Sequence, residues 1–219
     1  GDDVYGEDPT CTSLQKRVAK LVGHDDCLYM PTTTLSNQLG IRSHLTQPPY
    51  SVICDHRAHV FRYEAGATSY HTGATVYPVI PNYAKGETFM TAKEIEKNLI
   101  LGDDIHESPT KLICIENTLN GTIMPIEYMR DIRALADEHG IKIHLDGARI
   151  WNAHVETKIP LDEYGSLVDS MTLCFSKGLG APIGSCLTGE SNFIKRANHF
   201  RKMFGGGWRQ AGLLAAACH

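Results

Sequence analysis

Lys177 closes an apolar run in SMTLCFSKGLGAPIGS (170–185), a place where a lysine can do amine chemistry. Met171, Leu173, Cys174 and Phe175 predict a buried strand, and Gly178 and Gly180 a sharp turn after it. At the mouth of a buried strand an ammonium group loses part of its hydration. That favours the free amine, the form that attacks carbonyls and makes Schiff bases. The plain alternative is a surface lysine at a strand end.

A second chemical residue stands in IKIHLDGARI (141–150), where Ile141, Ile143 and Leu145 alternate with Lys142 and His144 before Asp146-Gly147. An acid where a strand meets its following loop lies where open α/β sheets bind ligands. The stretch between Asp146 and Lys177 holds a helical pattern and the second strand, the length of one crossover unit. Both side chains would then leave the carboxyl ends of parallel strands on one side of a sheet. A lysine paired with an acid in that relation is the arrangement that holds pyridoxal phosphate, with the acid on the pyridine nitrogen. Asp-Gly is also a common turn, so a loop-capping role for Asp146 stays open.

The elements that must carry these residues are those of an α/β sheet, mostly parallel and flanked by helices. SVICD (51–55), KLICIEN (111–117), IKIHLD (141–146) and SMTLCFS (170–176) are apolar and β-branched enough for buried strands. Helices are expected over Thr12 to Val22 and from near Thr34 to about His44. Another should open at a Thr91/Glu94 capping box and run through Leu99, and a fourth should follow Pro125 and end near His139-Gly140.

At 219 residues the chain is long enough for one domain with a substantial core. The formal charge of −4 and the lack of a basic stripe argue against nucleic acid as a partner, and no apolar run approaches a membrane span. Seven scattered cysteines with no CxxC pair suggest reduced thiols in a cytoplasmic compartment. His56 and His59 form an HxxH pair, but no further ligands stand at metal-site spacing, and no metal is expected.

Four stretches in order, GDDVYGEDPT (1–10), RAHVFRYEAGA (57–67), HLDGARIWNA (144–153) and FSKGLGAPIGS (175–185), carry a resemblance to the low-specificity L-threonine aldolases. FRKMFGGGWRQAG (200–212) supports them, so the resemblance covers the whole chain. It implies the large domain of a fold-type I, aspartate-aminotransferase-like enzyme, with Lys177 holding pyridoxal 5'-phosphate and Asp146 on its pyridine nitrogen. His59 would stack on the cofactor ring and take part in proton transfer. Arg149 would bind the substrate carboxylate or the cofactor phenolate, and Tyr5 would contact cofactor or substrate. The cofactor phosphate would lie at Thr32, Thr33 and Thr34 in MPTTTLSNQ (30–38), at a helix N-terminus, with Arg209 reaching it from a neighbouring subunit.

Two positions depart from the family pattern. Thr33 stands where most members have glycine, which would hinder close approach of phosphate to the backbone. Leu119 in ENTLNG (116–121) stands where bacterial members have a histidine that handles the β-hydroxyl, so deprotonation would fall to His59 or a water. The resemblance further implies a homotetramer, a dimer of dimers with sites at subunit interfaces. It also implies an N-terminal arm and a C-terminal small domain beyond this stretch, so 1–219 reads as an incomplete protein. The expected activity is retro-aldol cleavage of L-threonine or L-allo-threonine to glycine and acetaldehyde. An alanine racemase of the same family and a catalytically incompetent fragment are the alternatives.

Overall fold

Successive residues of the central strands bury on opposite faces, and this dictates a sheet covered on both sides. The computed structural model describes residues 1–219. Strands β1 (Asp26–Met30), β2 (Ser51–Asp55), β3 (Thr75–Val79), β4 (Thr110–Glu116), β5 (Lys142–Gly147), β6 (Ser170–Cys174) and β7 (Ser185–Gly189) form one sheet. Its order is β1-β7-β6-β5-β4-β2-β3, parallel throughout except for β7, which runs antiparallel to β6 and β1. Val52, Cys54, Leu112 and Cys114 enter one apolar cluster, and Ile53, Ile113 and Ile115 the cluster on the other face. Near-continuous apolar runs are what such doubly covered strands require.

Helix α1 (Pro9–Val22) is capped by Asp8, whose carboxylate accepts from the Thr10 and Cys11 amides. Helices α2 (Thr33–His44), α3 (His59–Arg62) and α4 (Ala67–Thr72) follow β1 and β2. The Thr91/Glu94 capping box opens α5, but α5 (Ala92–Glu96) stops short of the expected Leu99. Helix α6 (Ile126–His139) ends where Gly140 takes a left-handed conformation. Between β5 and β6 lie α7 (Ile150–Thr157) and α8 (Leu161–Ser166), and α9 (Ser191–Met203) and α10 (Gly212–Cys218) close the chain.

Residues from α1, α6, α7, α8 and α10 share the largest cluster, whereas Leu39 of α2 packs with Phe193 and Ile194 of α9 on the opposite face. No helix is long and apolar enough to cross a membrane. The four strands and four helices expected from sequence are all present, β2 and α6 with the expected bounds and the others with one or both ends shifted. Strands β1, β3 and β7 carry weaker patterns: β3 is an edge strand containing Pro78, and β7 (SCLTG) is built of small residues.

Candidate active site

Strands β4, β5 and β6 end side by side, and their last residues build the site. Glu116 of β4 is the register partner of Asp146 of β5, and Asp146 is that of Thr172 in β6. Alternation along β5 turns His144 and Asp146 toward α2, while Ile143 and Leu145 enter the core on the other face. Gly147 has a steric reason: a Cβ there would lie 2.6 Å from the Thr172 carbonyl oxygen.

Asp146 is 3% exposed. Its Oδ1 accepts from the Ala148 amide at 3.0 Å and its Oδ2 from Asn37 Nδ2 at 2.7 Å. The same Asn37 nitrogen lies 3.0 Å from Glu64 Oε1. Glu64, also buried, takes a bond from His59 Nδ1 at 2.8 Å and from Gln38 Nε2 at 2.5 Å. His59 opens α3, and its backbone amide donates to Glu116 Oε2 at 2.8 Å. Side-chain atoms of His59, Glu64 and Asp146 fall within 4.8 Å of one another. His56 does not join them; its ring bonds the Tyr83 hydroxyl at 2.8 Å.

These contacts set the local electrostatics. Burial, then the nearby Glu64 charge, holds Asp146 above the usual carboxylate range in spite of its two amide donors. Burial and the Asp146 charge push Glu116 up to about 8, against the His59 amide and the His59 and Lys177 charges. The bond to Glu64 raises His59 above its ordinary value, against its partial burial.

Lys177 lies in the β6–β7 connection, pinned at its base by the Phe175 amide on the Gly184 carbonyl at 3.0 Å. The loss of hydration expected at this lysine is not found: β6 ends at Cys174, and the exposed turn carries the side chain into solvent. It shares the strand-end edge with Asp146, as expected, and its charge reaches Glu116. Arg149 caps α7, is exposed, and lines an open groove of about 580 Å³ with Thr118, Asn152 and Gly178. Leu119 is buried beside this edge.

At the start of α2 the Thr32 hydroxyl accepts from the Leu35 amide at 3.1 Å, and the amides of Thr33 and Thr34 find no acceptor. Thr33 has a negative φ as the first residue of α2, so the conformation there does not demand glycine. Arg209 and Tyr5 lie together: Arg209 pairs with Asp2, and its guanidinium stands 5.4 Å from the Tyr5 ring. Their glycine-rich neighbourhood touches α2, since a Cβ on Gly206 would lie 2.2 Å from Leu35 Cδ2.

The residues fit a phosphorylated pyridine aldehyde. Asp146 is a buried acid paired with no Lys or Arg, receiving only neutral donors, so a protonated ring nitrogen would supply the cation it lacks. The Thr33 Oγ1 atom is buried without a partner next to two free amides at a helix N-terminus, a place that favours an anion. No sequence pattern singles out Glu64, Asn37 or Glu116. Asn37 lies in the quoted MPTTTLSNQ and Glu64 in RYEAGA, so the motifs contained them, but only contacts with β5 give them a role.

A mostly parallel sheet with a buried acid and an amine at its carboxyl edge, beside a helix N-terminus with free amides, is the frame of a cofactor-binding α/β protein. The chain belongs to the Beta-eliminating lyase family, whose model matches residues 1–219, and this family is pyridoxal phosphate-dependent. It is 49% identical to the low-specificity L-threonine aldolase of Eremothecium gossypii over 98% of this chain and 56% of that protein. To the low specificity L-threonine aldolase of Saccharomyces cerevisiae it is 47% identical, over 98% of this chain and 55% of the relative. A solved Leishmania major threonine aldolase superposes with a TM-score of 0.84 at 25% identity, covering 98% of this chain and 62% of that one. The chain thus spans a little over half the length of the curated relatives it matches.

Proposed function

We propose that the protein carrying this chain cleaves L-threonine and L-allo-threonine between Cα and Cβ, giving glycine and acetaldehyde with pyridoxal 5'-phosphate as cofactor. The observation that carries the reading is a buried acid with no cationic partner, Asp146, on the same strand-end edge as the Lys177 amine. The names of the two fungal relatives support the substrate class.

When bound, the cofactor supplies a cationic ring that spreads the negative charge left on Cα. Asp146 keeps the ring nitrogen protonated, because a buried carboxylate favours a cation at its open lone pair. Lys177 is the amine that binds the cofactor aldehyde. Thr32, Thr33 and Thr34 hold the phosphate through backbone amides and hydroxyls at the start of α2. Arg149 is free of ion pairs and has the planar donor set for the substrate carboxylate.

His59 has Nδ1 committed to Glu64, which leaves Nε2 as the ring nitrogen able to take the β-hydroxyl proton. Glu64 then stabilises the imidazolium formed. Leu119 offers no base, so His59 carries that role alone or through a water.

Arg209 and Tyr5 act at a boundary between copies of the chain, in a homo-oligomeric dimer of dimers. A cytoplasmic location belongs to the same reading and is supported by seven free cysteines.

The test uses purified protein with cofactor. Borohydride should fix the cofactor on wild type and leave no adduct on Lys177→Ala. L-threonine should yield glycine and acetaldehyde. D-alanine formed from L-alanine, with no glycine from threonine, would assign racemisation instead. Protein that takes up no cofactor would sink the enzyme reading.

A further inference from the structure

The β5 residue two before Asp146 is a histidine, and it is part of a buried chain of polar groups behind the site. His44 Nε2 lies 2.7 Å from Ser170 Oγ, and Ser170 Oγ lies 2.8 Å from His144 Nδ1. His144 Nε2 lies 3.1 Å from Asn37 Oδ1, and Asn37 Nδ2 reaches both Asp146 and Glu64. Ser170, His144 and Asn37 are fully buried, and no water path is needed to connect them.

The chemistry of the groups fixes the direction of every bond. An amide NH2 has two protons, and Asn37 meets two carboxylate oxygens, so Nδ2 donates to both. The reversed amide would require a proton on both acids. It would set Oδ1 against Glu64, whose two oxygens already face the ring nitrogen of His59 and the amide of Gln38. Asn37 Oδ1 must therefore accept, and His144 must carry its proton on Nε2. Burial pushes His144 down to about 3, so the ring is neutral and Nδ1 is a bare acceptor. Ser170 fills it with its hydroxyl proton and accepts in turn from His44 Nε2–H. Helix α2 can come this close because residue 40 is glycine: a Cβ there would stand 2.6 Å from His144 Cε1.

We propose that Asn37 is a positioning residue that sets, through one amide group, both the acid facing the cofactor ring nitrogen and, by way of Glu64, the imidazole facing the ring. The role rests on the cofactor reading given above. Asp146 and Glu64 are like charges in a dry corner, and their repulsion would turn either carboxyl away from its task. The shared NH2 holds each by one oxygen and leaves an outer lone pair of Asp146 for a ring N–H. The neutral relay behind it prevents the amide from flipping.

Two measurements test this. In the cofactor-free protein, long-range 15N–1H correlation should find His144 neutral with its proton on Nε2; a proton on Nδ1 overturns the bond order. The second measurement compares binding of pyridoxal phosphate with its analogue in which CH replaces the ring nitrogen. Wild type should prefer pyridoxal phosphate. Asn37→Asp should lose at least about tenfold in affinity for it, the scale of one charge-assisted hydrogen bond, and far less for the analogue. Asn37→Ser, which leaves space rather than repulsion, covers the case in which the aspartate variant does not fold. Equal weakening for both compounds, or a wild type that does not tell them apart, overturns the positioning role. A wild type that binds neither overturns the cofactor reading itself.

Discussion

Glu116, Asp146 and Glu64 crowd one corner with a single imidazole, so no one of these charges is set alone. Glu116 shows the cost most clearly. Its folded value of about 8 stands far above that of an exposed glutamate, so the folded chain keeps a proton that the unfolded chain has lost. Native binding of the extra proton makes stability fall as pH rises between the two values. Glu116→Gln removes that slope while keeping an acceptor for the His59 amide. The cofactor-free variant should gain on wild type by up to about 4 kcal/mol between pH 5 and pH 8.5, nearly three pH units at about 1.4 kcal/mol each. Urea midpoints at the two pH values measure it, and parallel behaviour of the two proteins would show that Glu116 is ordinarily solvated.

Helix α2 is the element on which the site turns, and it breaks the usual pattern of a packed helix. Ser36, Asn37, Gln38 and Ser43 are all buried. The helix itself is expected from sequence, but not its buried polar face, which is chosen for hydrogen bonds to β5, β7 and Glu64. Gly40 is needed for proximity. Gly40→Ala should cost about 1–3 kcal/mol by overpacking against His144, read as a lower denaturation midpoint. At the N-cap of the helix, Thr32→Ala should cost about 1 kcal/mol as a lost cap and weaken phosphate binding as well. A Thr32→Ala protein as stable as wild type would show that the cap bond contributes nothing.

Over the whole molecule, the reversed strand β7 converts a run of parallel strands into one sheet that also takes in β1. The first residues are tied to the far end of the chain by a buried ion pair. Arg201 Nη1 donates to Asp3 Oδ2 at 3.0 Å and to the Tyr29 carbonyl at 2.7 Å. Both partners are nearly solvent-free, so removing one strands a charge. Asp3→Ala should lose about 3–5 kcal/mol, whereas Asp3→Leu combined with Arg201→Met should recover much of it. Thermal melts of the three proteins decide the matter, and a double variant no better than the single one would contradict the account.

The strands near residues 51–55, 111–117, 141–146 and 170–176, the capped helices, and Asp146 and Lys177 on one edge of the sheet were legible in the order of residues. Those depend on local periodicity and on the spacing of one crossover, which neighbouring residues encode. Only the closed fold shows that β7 runs backwards, that Lys177 is carried into solvent, and that Arg209 pairs with Asp2 beside Tyr5. It alone recruited Asn37, Glu64, His144 and Ser170, four polar residues that no sequence pattern marks as partners of one another. A buried hydrogen bond needs its partner at about 3 Å, and residues over a hundred positions apart acquire such partners only when helix and sheet close on each other.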